Sequence, residues 1–105
     1  MSLHFLVHFE PKPGCAATFR KELLRVIEAS RTEAGCLAIN AFESLREPLT
    51  FAIHSEWTDE VAFELHASLP HTGHFLRVAE ELLTHPVQGL RSRQISGGLG
   101  AGHRG

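Results

Sequence analysis

The sequence predicts an α+β domain in the order β-α-β-β-α-β. Three observations carry this. Apolar stretches at residues 3–10, 36–44, 50–57 and 87–95 have the length and alternation of strands. Two longer stretches, 15–31 and 59–83, repeat their apolar residues at the three- and four-residue spacing of helices. Turn-forming residues, Pro11-Lys-Pro-Gly14, Glu47-Pro48 and His85-Pro86, separate them. That order is the ferredoxin-like split βαβ arrangement, in which helices cover one face of a four-stranded antiparallel sheet.

The first strand, Leu3 to Glu10, ends at Pro11 because proline cannot donate to a strand ladder. In the first helix, Cys15 to Arg31, Phe19, Leu23, Val26, Ile27 and Ser30 share one stripe with Ala16, and Gly35 stands as its stop. Cys36 to Ser44 and Thr50 to Trp57 form a hairpin around Arg46-Glu47-Pro48. Phe51, Ile53 and Trp57 share one face of the third strand; Ala52, His54 and Glu56 share the other. Thr58 caps the next helix, whose first turn holds Asp59 and Glu60 and whose end precedes Pro70. A further run from Thr72 to Leu83 turns Phe75, Val78, Ala79, Leu82 and Leu83 inward. Val87 to Ile95 is the last strand. Residues 1–96 thus make one domain, and 97–105, with five glycines in nine residues, a flexible Gly-rich tail.

At 105 residues the core is thin. The helices cover one sheet face, yet the other still carries Leu6 or Phe5, Phe42 or Ile39, and Leu90. A homodimer through that face covers it most simply. A net charge of −2 without a clustered basic patch excludes nucleic acid as the expected partner. No run approaches the roughly 20 apolar residues of a membrane span, and the N-terminus lacks a signal peptide's basic start, so the expected location is cytoplasmic. Cys15 and Cys36 match no zinc spacing and read as thiols in a reducing compartment.

Cofactor motifs are missing. Gly97-Gly-Leu-Gly opens no helix, so it fails the context of a dinucleotide loop, and no GxSxG elbow is present. The informative region is Trp57 to Phe75. His66 falls on the helical stripe of Ala62, Leu65 and Leu69, and Trp57 ends the strand beside it. An imidazole next to an indole in an apolar cleft suits acid–base chemistry, although an inward histidine is more often a hydrogen-bonded core residue. His71 and His74 flank the helix break, where they can cap it, face solvent or reach a pocket. The spacings His66, His71, His74 match no standard ligand pattern, so no metal site is expected. His4 and His8 share one parity of the first strand, and His54 lies on the third.

Pro13-Gly14, Phe19, Leu23, Ser30-Arg31-Thr-Glu33-Ala-Gly35-Cys36-Leu37, Pro48, Phe51, Glu56-Trp57-Thr, His66, Ser68, His71 and Phe75 together resemble the antibiotic biosynthesis monooxygenase family over residues 3 to 95. Quinol monooxygenases and anthrone-oxidising enzymes are similar small dimeric barrels. The resemblance implies oxidation of a small aromatic quinol or anthrone by molecular oxygen, without a cofactor. It implies His66 as base or hydrogen-bond partner, His71 as second polar group, and Trp57 as stacking wall. Phe51 and Phe75 would be apolar lining, with His74 and Asn40 as further polar candidates.

This chain departs from many relatives in having no tyrosine, Ile39 standing where they place one. Asn40 offers an amide nearby, on a parity that can face either side. Haem-degrading relatives use Asn, Trp and His together, and the first strand here has no Asn. Two other readings stay open: an isomerase of the same fold, and a non-catalytic dimer that binds a small ligand.

Overall fold

The computed structural model describes residues 2–103. Its elements are β1 (Leu3–Phe9), α1 (Ala16–Ser30), β2 (Cys36–Glu43), β3 (Phe51–Trp57), α2 (Glu60–Ser68), α3 (Pro70–Leu82) and β4 (Gln88–Ser92). The sheet is antiparallel throughout, in the order β2-β3-β1-β4. This is the ferredoxin-like α+β fold expected from the sequence, with the second helical stretch split in two.

Register fixes the two faces. β1 pairs with β3 from Leu3–Trp57 to Phe9–Phe51, so Leu3, Val7 and Phe9 join Phe51, Ile53 and Trp57 under the helices. The alternation expected for β3 holds along its whole length. On the helix side, Phe19, Leu23, Val26 and Ile27 from α1 and Phe75 and Ala79 from α3 complete the core. The other face carries Leu6, Phe42 and Leu90, exposed by 43%, 59% and 60%. Phe5 and Ile39 take the inward places.

Several local expectations change. Asp59, not Thr58, caps α2: its carboxylate accepts from the Ala62 N–H at 2.8 Å. Leu69 has extended backbone and serves both as the C-cap of α2 and the N-cap of α3, with Pro70 at the first turn of the new helix. Proline lacks the N–H that a first-turn position leaves unpaired, so it starts α3 rather than merely ending α2. Gly35 is not the stop of α1, which already ends at Ser30. A Cβ on Gly35 would collide with the Ala62 side chain. The residue is small because α2 lies against this turn. In α2, Phe63 is the buried residue, and Leu65 is 62% exposed rather than on the buried stripe. β4 is shorter than expected, and no regular element follows Ser92 among the described residues. Among the same residues no helix is long and apolar enough to cross a membrane.

Candidate functional site

A cavity of about 270 Å³ lies between the sheet and the helices. Its wall is mainly hydrocarbon, from residues such as Phe5, Val7, Phe63 and Phe75. Four polar side chains interrupt that wall: Ser30, Ser55, His66 and Thr72. Few polar groups on an apolar surface is the usual composition of a small-molecule site.

His66 sits in the last turn of α2 and Glu33 in the turn after α1. The two meet because the Gly35–Ala62 contact brings that turn against α2. The His66 Nδ1–H donates to the Glu33 carboxylate at 3.0 and 3.2 Å. His71, in the first turn of α3, donates through Nε2 to the same carboxylate at 2.7 Å. One acceptor thus holds two imidazoles. A carboxylate can only accept, so both bonded nitrogens carry protons. In the neutral ring this places the proton on Nδ1 and leaves Nε2 with a free lone pair.

Trp57 lies against His66, with ring centroids 4.4 Å apart and planes tilted by 35°. It is fully buried, and its Nε1–H donates to Ser55 Oγ at 3.0 Å. It therefore backs the imidazole and does not form a wall of the cavity, contrary to the stacking role expected for it.

The remaining candidates divide. Phe75 lines the cavity. Phe51 packs into the core against Phe19, outside the cavity. Asn40 faces away altogether: it pairs with His54 on the uncovered side of the sheet, because Ile39 takes the inward parity. His71 and His74 open onto a second cleft between α1 and α3, where His74 Nε2 lies 3.7 Å from Glu22.

Two residues of the site were not anticipated as functional. Glu33 stands in the Glu33-Ala-Gly-Cys-Leu37 segment noted in the sequence, but nothing local couples it to histidines more than 30 positions away. Ser30 was placed on the buried stripe of α1, and an alcohol among Phe19, Leu23 and Ile27 was the available signal. Its Oγ is fully buried without a hydrogen-bond partner, and the residue lines the cavity. Orphaned buried hydroxyls are uncommon, and one on a cavity wall is well placed for a ligand atom.

Cys36, the first residue of β2, lies close to this centre. Burial pushes its thiol above the ordinary range, and the Glu33 carboxylate adds to that.

The sequence pattern of the antibiotic biosynthesis monooxygenase family matches residues 2–78. YcnE of Bacillus subtilis strain 168, named a "putative monooxygenase", is 29% identical over 85 residues, covering 81% of this chain and 90% of that protein. Among solved structures, PA3566 of Pseudomonas aeruginosa is 27% identical with a TM-score of 0.83, covering 90% of this chain and 95% of that one. Rv0793 of Mycobacterium tuberculosis shares the fold at a TM-score of 0.85 and 23% identity, over 92% of this chain and 98% of that one. The match spans the turn that carries Glu33 and the helices that carry His66 and His71, and this chain belongs to the antibiotic biosynthesis monooxygenase family.

Proposed function

We propose that this protein is a cofactor-independent monooxygenase that oxidises a small aromatic quinol or anthrone with molecular oxygen. One observation carries the reading: His66, held by Glu33 through Nδ1, borders a mainly apolar cavity, and the other nitrogen of the neutral ring is free to accept a proton. At about 270 Å³ the cavity falls near the lower end of the ~300–1,000 Å³ typical of small-molecule sites. That volume suits one substrate ring system better than a substrate with an organic cofactor beside it.

The chemistry follows from those parts. His66 Nε2 removes a proton from the phenol or from the acidic CH₂ of the anthrone. The anion is electron-rich and reduces oxygen directly. For an anthrone, CH₂ becomes C=O; one oxygen atom enters the product and the other leaves as water with the two hydrogens removed. Glu33 stabilises the imidazolium formed on the way. The unpaired Ser30 hydroxyl supplies a hydrogen bond to a substrate oxygen. The apolar wall excludes water that would quench the anion.

A second copy of the chain completes the assembly in this reading. Leu6 and Leu90 lie side by side on the uncovered face with His4, Asn40 and His54, and Glu56 lies against His4 at one end of it. A partly apolar face of this kind is matched by its own copy under two-fold symmetry.

Oxygen uptake with a panel of hydroquinones, naphthohydroquinones and anthrones tests the proposal. The expected result is uptake with at least one compound, and its loss in His66→Ala. Wild type that consumes no oxygen with any of them overturns it. Substrate proton exchange without oxygen uptake would instead favour the isomerase.

A further inference from the structure

The geometry points to a binding site for one divalent first-row transition-metal ion at Glu33, His66 and His71, whose occupancy switches His66 from base to hydrogen-bond donor. His66 Nδ1, His71 Nε2 and a Glu33 carboxylate oxygen all lie within 4.8 Å of one another. Two of the three separations are 3.0 and 2.7 Å. Ligands about 2.0–2.2 Å from a tetrahedral ion stand roughly 3.3 Å apart, so seating one requires these atoms to spread by roughly half an ångström.

Three elements deliver the donors: the turn after α1, the end of α2 and the start of α3. The side chains are 12%, 13% and 29% exposed, so the cluster is sheltered without being sealed. Two imidazoles and one carboxylate suit zinc, nickel, copper or iron better than magnesium or calcium, which prefer all-oxygen sites. His71, the most exposed of the three, also borders the cleft between α1 and α3. His74, though close to both histidines in the sequence, lies beside Glu22 and outside the cluster, and Glu33 is the third donor.

The consequence for His66 is a matter of proton position. Without metal, Nδ1 carries the proton and Nε2 the lone pair. An ion on Nδ1 needs that lone pair for itself, so the neutral ring carries its proton on Nε2 instead. The proton of His71 moves likewise from Nε2 to Nδ1, and no proton is lost overall. A ring that can only donate no longer deprotonates a substrate. This second half rests on the monooxygenase reading; the binding site does not.

The test uses the untagged full chain, stripped of metal and titrated with Zn²⁺ by calorimetry. The expected stoichiometry is one ion per chain. Glu33→Gln and His71→Ala should each weaken binding by at least the roughly 10–100-fold that loss of an outer-shell partner costs. His54→Ala is the control. His4 Nδ1 and His54 Nε2 are 2.8 Å apart on the other sheet face and form the rival site. Circular dichroism and melting of each variant separate lost ligands from lost fold, and imidazole ¹⁵N spectra should show the His66 proton moving to Nε2 on zinc addition. Absence of stoichiometric binding, or its loss in His54→Ala rather than in the other two, overturns the site. Oxygen uptake that persists at saturating zinc overturns the switch. Binding at the triad by a protein that takes up no oxygen sustains the site and counts against the monooxygenase reading alone.

Discussion

The Trp57 and His66 rings meet at 4.4 Å, tilted by 35°, and the indole gives its only donor to Ser55. Trp57 therefore holds the His66 ring from behind and does not line the cavity. Trp57→Phe keeps a ring beneath His66 but removes volume and leaves the buried Ser55 hydroxyl without its donor. The expected cost is about 2–4 kcal/mol of stability, read from denaturant unfolding. Turnover should fall through kcat with KM nearly unchanged. A large rise in KM alone would show that the indole touches substrate after all.

Glu33 sets the tautomer of His66, so Glu33→Gln should act on chemistry more than on folding. An amide can donate to Nδ1 as readily as it accepts, which allows the proton to sit on Nε2. Loss of a properly oriented base costs about 10²–10⁴-fold in rate. The checks are oxygen uptake beside a melting curve: a large loss of rate should accompany a small change in midpoint. A variant with full turnover would remove Glu33 from the mechanism.

The sheet was legible in the sequence because its period of two is written in β3, where Phe51, Ile53 and Trp57 alternate with Ala52, His54 and Glu56. The same period left Asn40 ambiguous, since β2 has a register irregularity between Cys36 and Ala38 that parity counting does not detect. His66 was legible as an inward histidine. Glu33 was not a visible partner, because a contact across 33 positions depends on how α2 docks and leaves no local pattern. For Trp57, burial follows from the alternation, but whether a buried ring faces a cavity or backs another ring does not.

Cys36 links the site to pH. Its thiol is raised in the folded state, first by burial and then by Glu33. A raised thiol keeps its proton longer when folded than when unfolded. The stability this provides is present at neutral pH and is lost as pH rises beyond the ordinary thiol range. Stability should therefore decline at alkaline pH, and less so in Cys36→Ser. Alkylation of Cys36 at mildly alkaline pH should be slow in wild type. Removing the Glu33 charge in Glu33→Gln should lower the thiol pKa and speed the reaction, as followed by mass spectrometry. Equal rates in the two proteins would show that the carboxylate does not reach the thiol.

The uncovered sheet face gives a prediction about assembly. Leu6 and Leu90 are adjacent across β1 and β4 and exposed by 43% and 60%. Leu90→Glu is harmless to a monomer, since the side chain already faces outward. In a dimer joined through this face it would bury a charge against its own symmetry mate. Light scattering on eluting protein should show a dimer for wild type and a monomer for the variant. A wild type that elutes as a monomer overturns the proposal that a second copy covers the face.

Gly35 ties the fold to the site. A methyl group there would occupy the space of the Ala62 side chain, and both neighbours are fixed by backbone. Gly35→Ala must therefore push α2 away from the turn that bears Glu33. Overpacking of this kind costs about 1–3 kcal/mol, visible as a lower melting midpoint. The displacement acts on the bond between His66 and Glu33, because one partner rides on each side of the contact. Activity should fall further than the loss of stability explains when measured well below the melting transition. Ala62→Gly in the same chain reopens the space and should recover activity, though at a further cost of up to about 1 kcal/mol for glycine within α2. Recovery in the double variant would show that the spacing between turn and helix, and not glycine's backbone freedom, is what position 35 supplies.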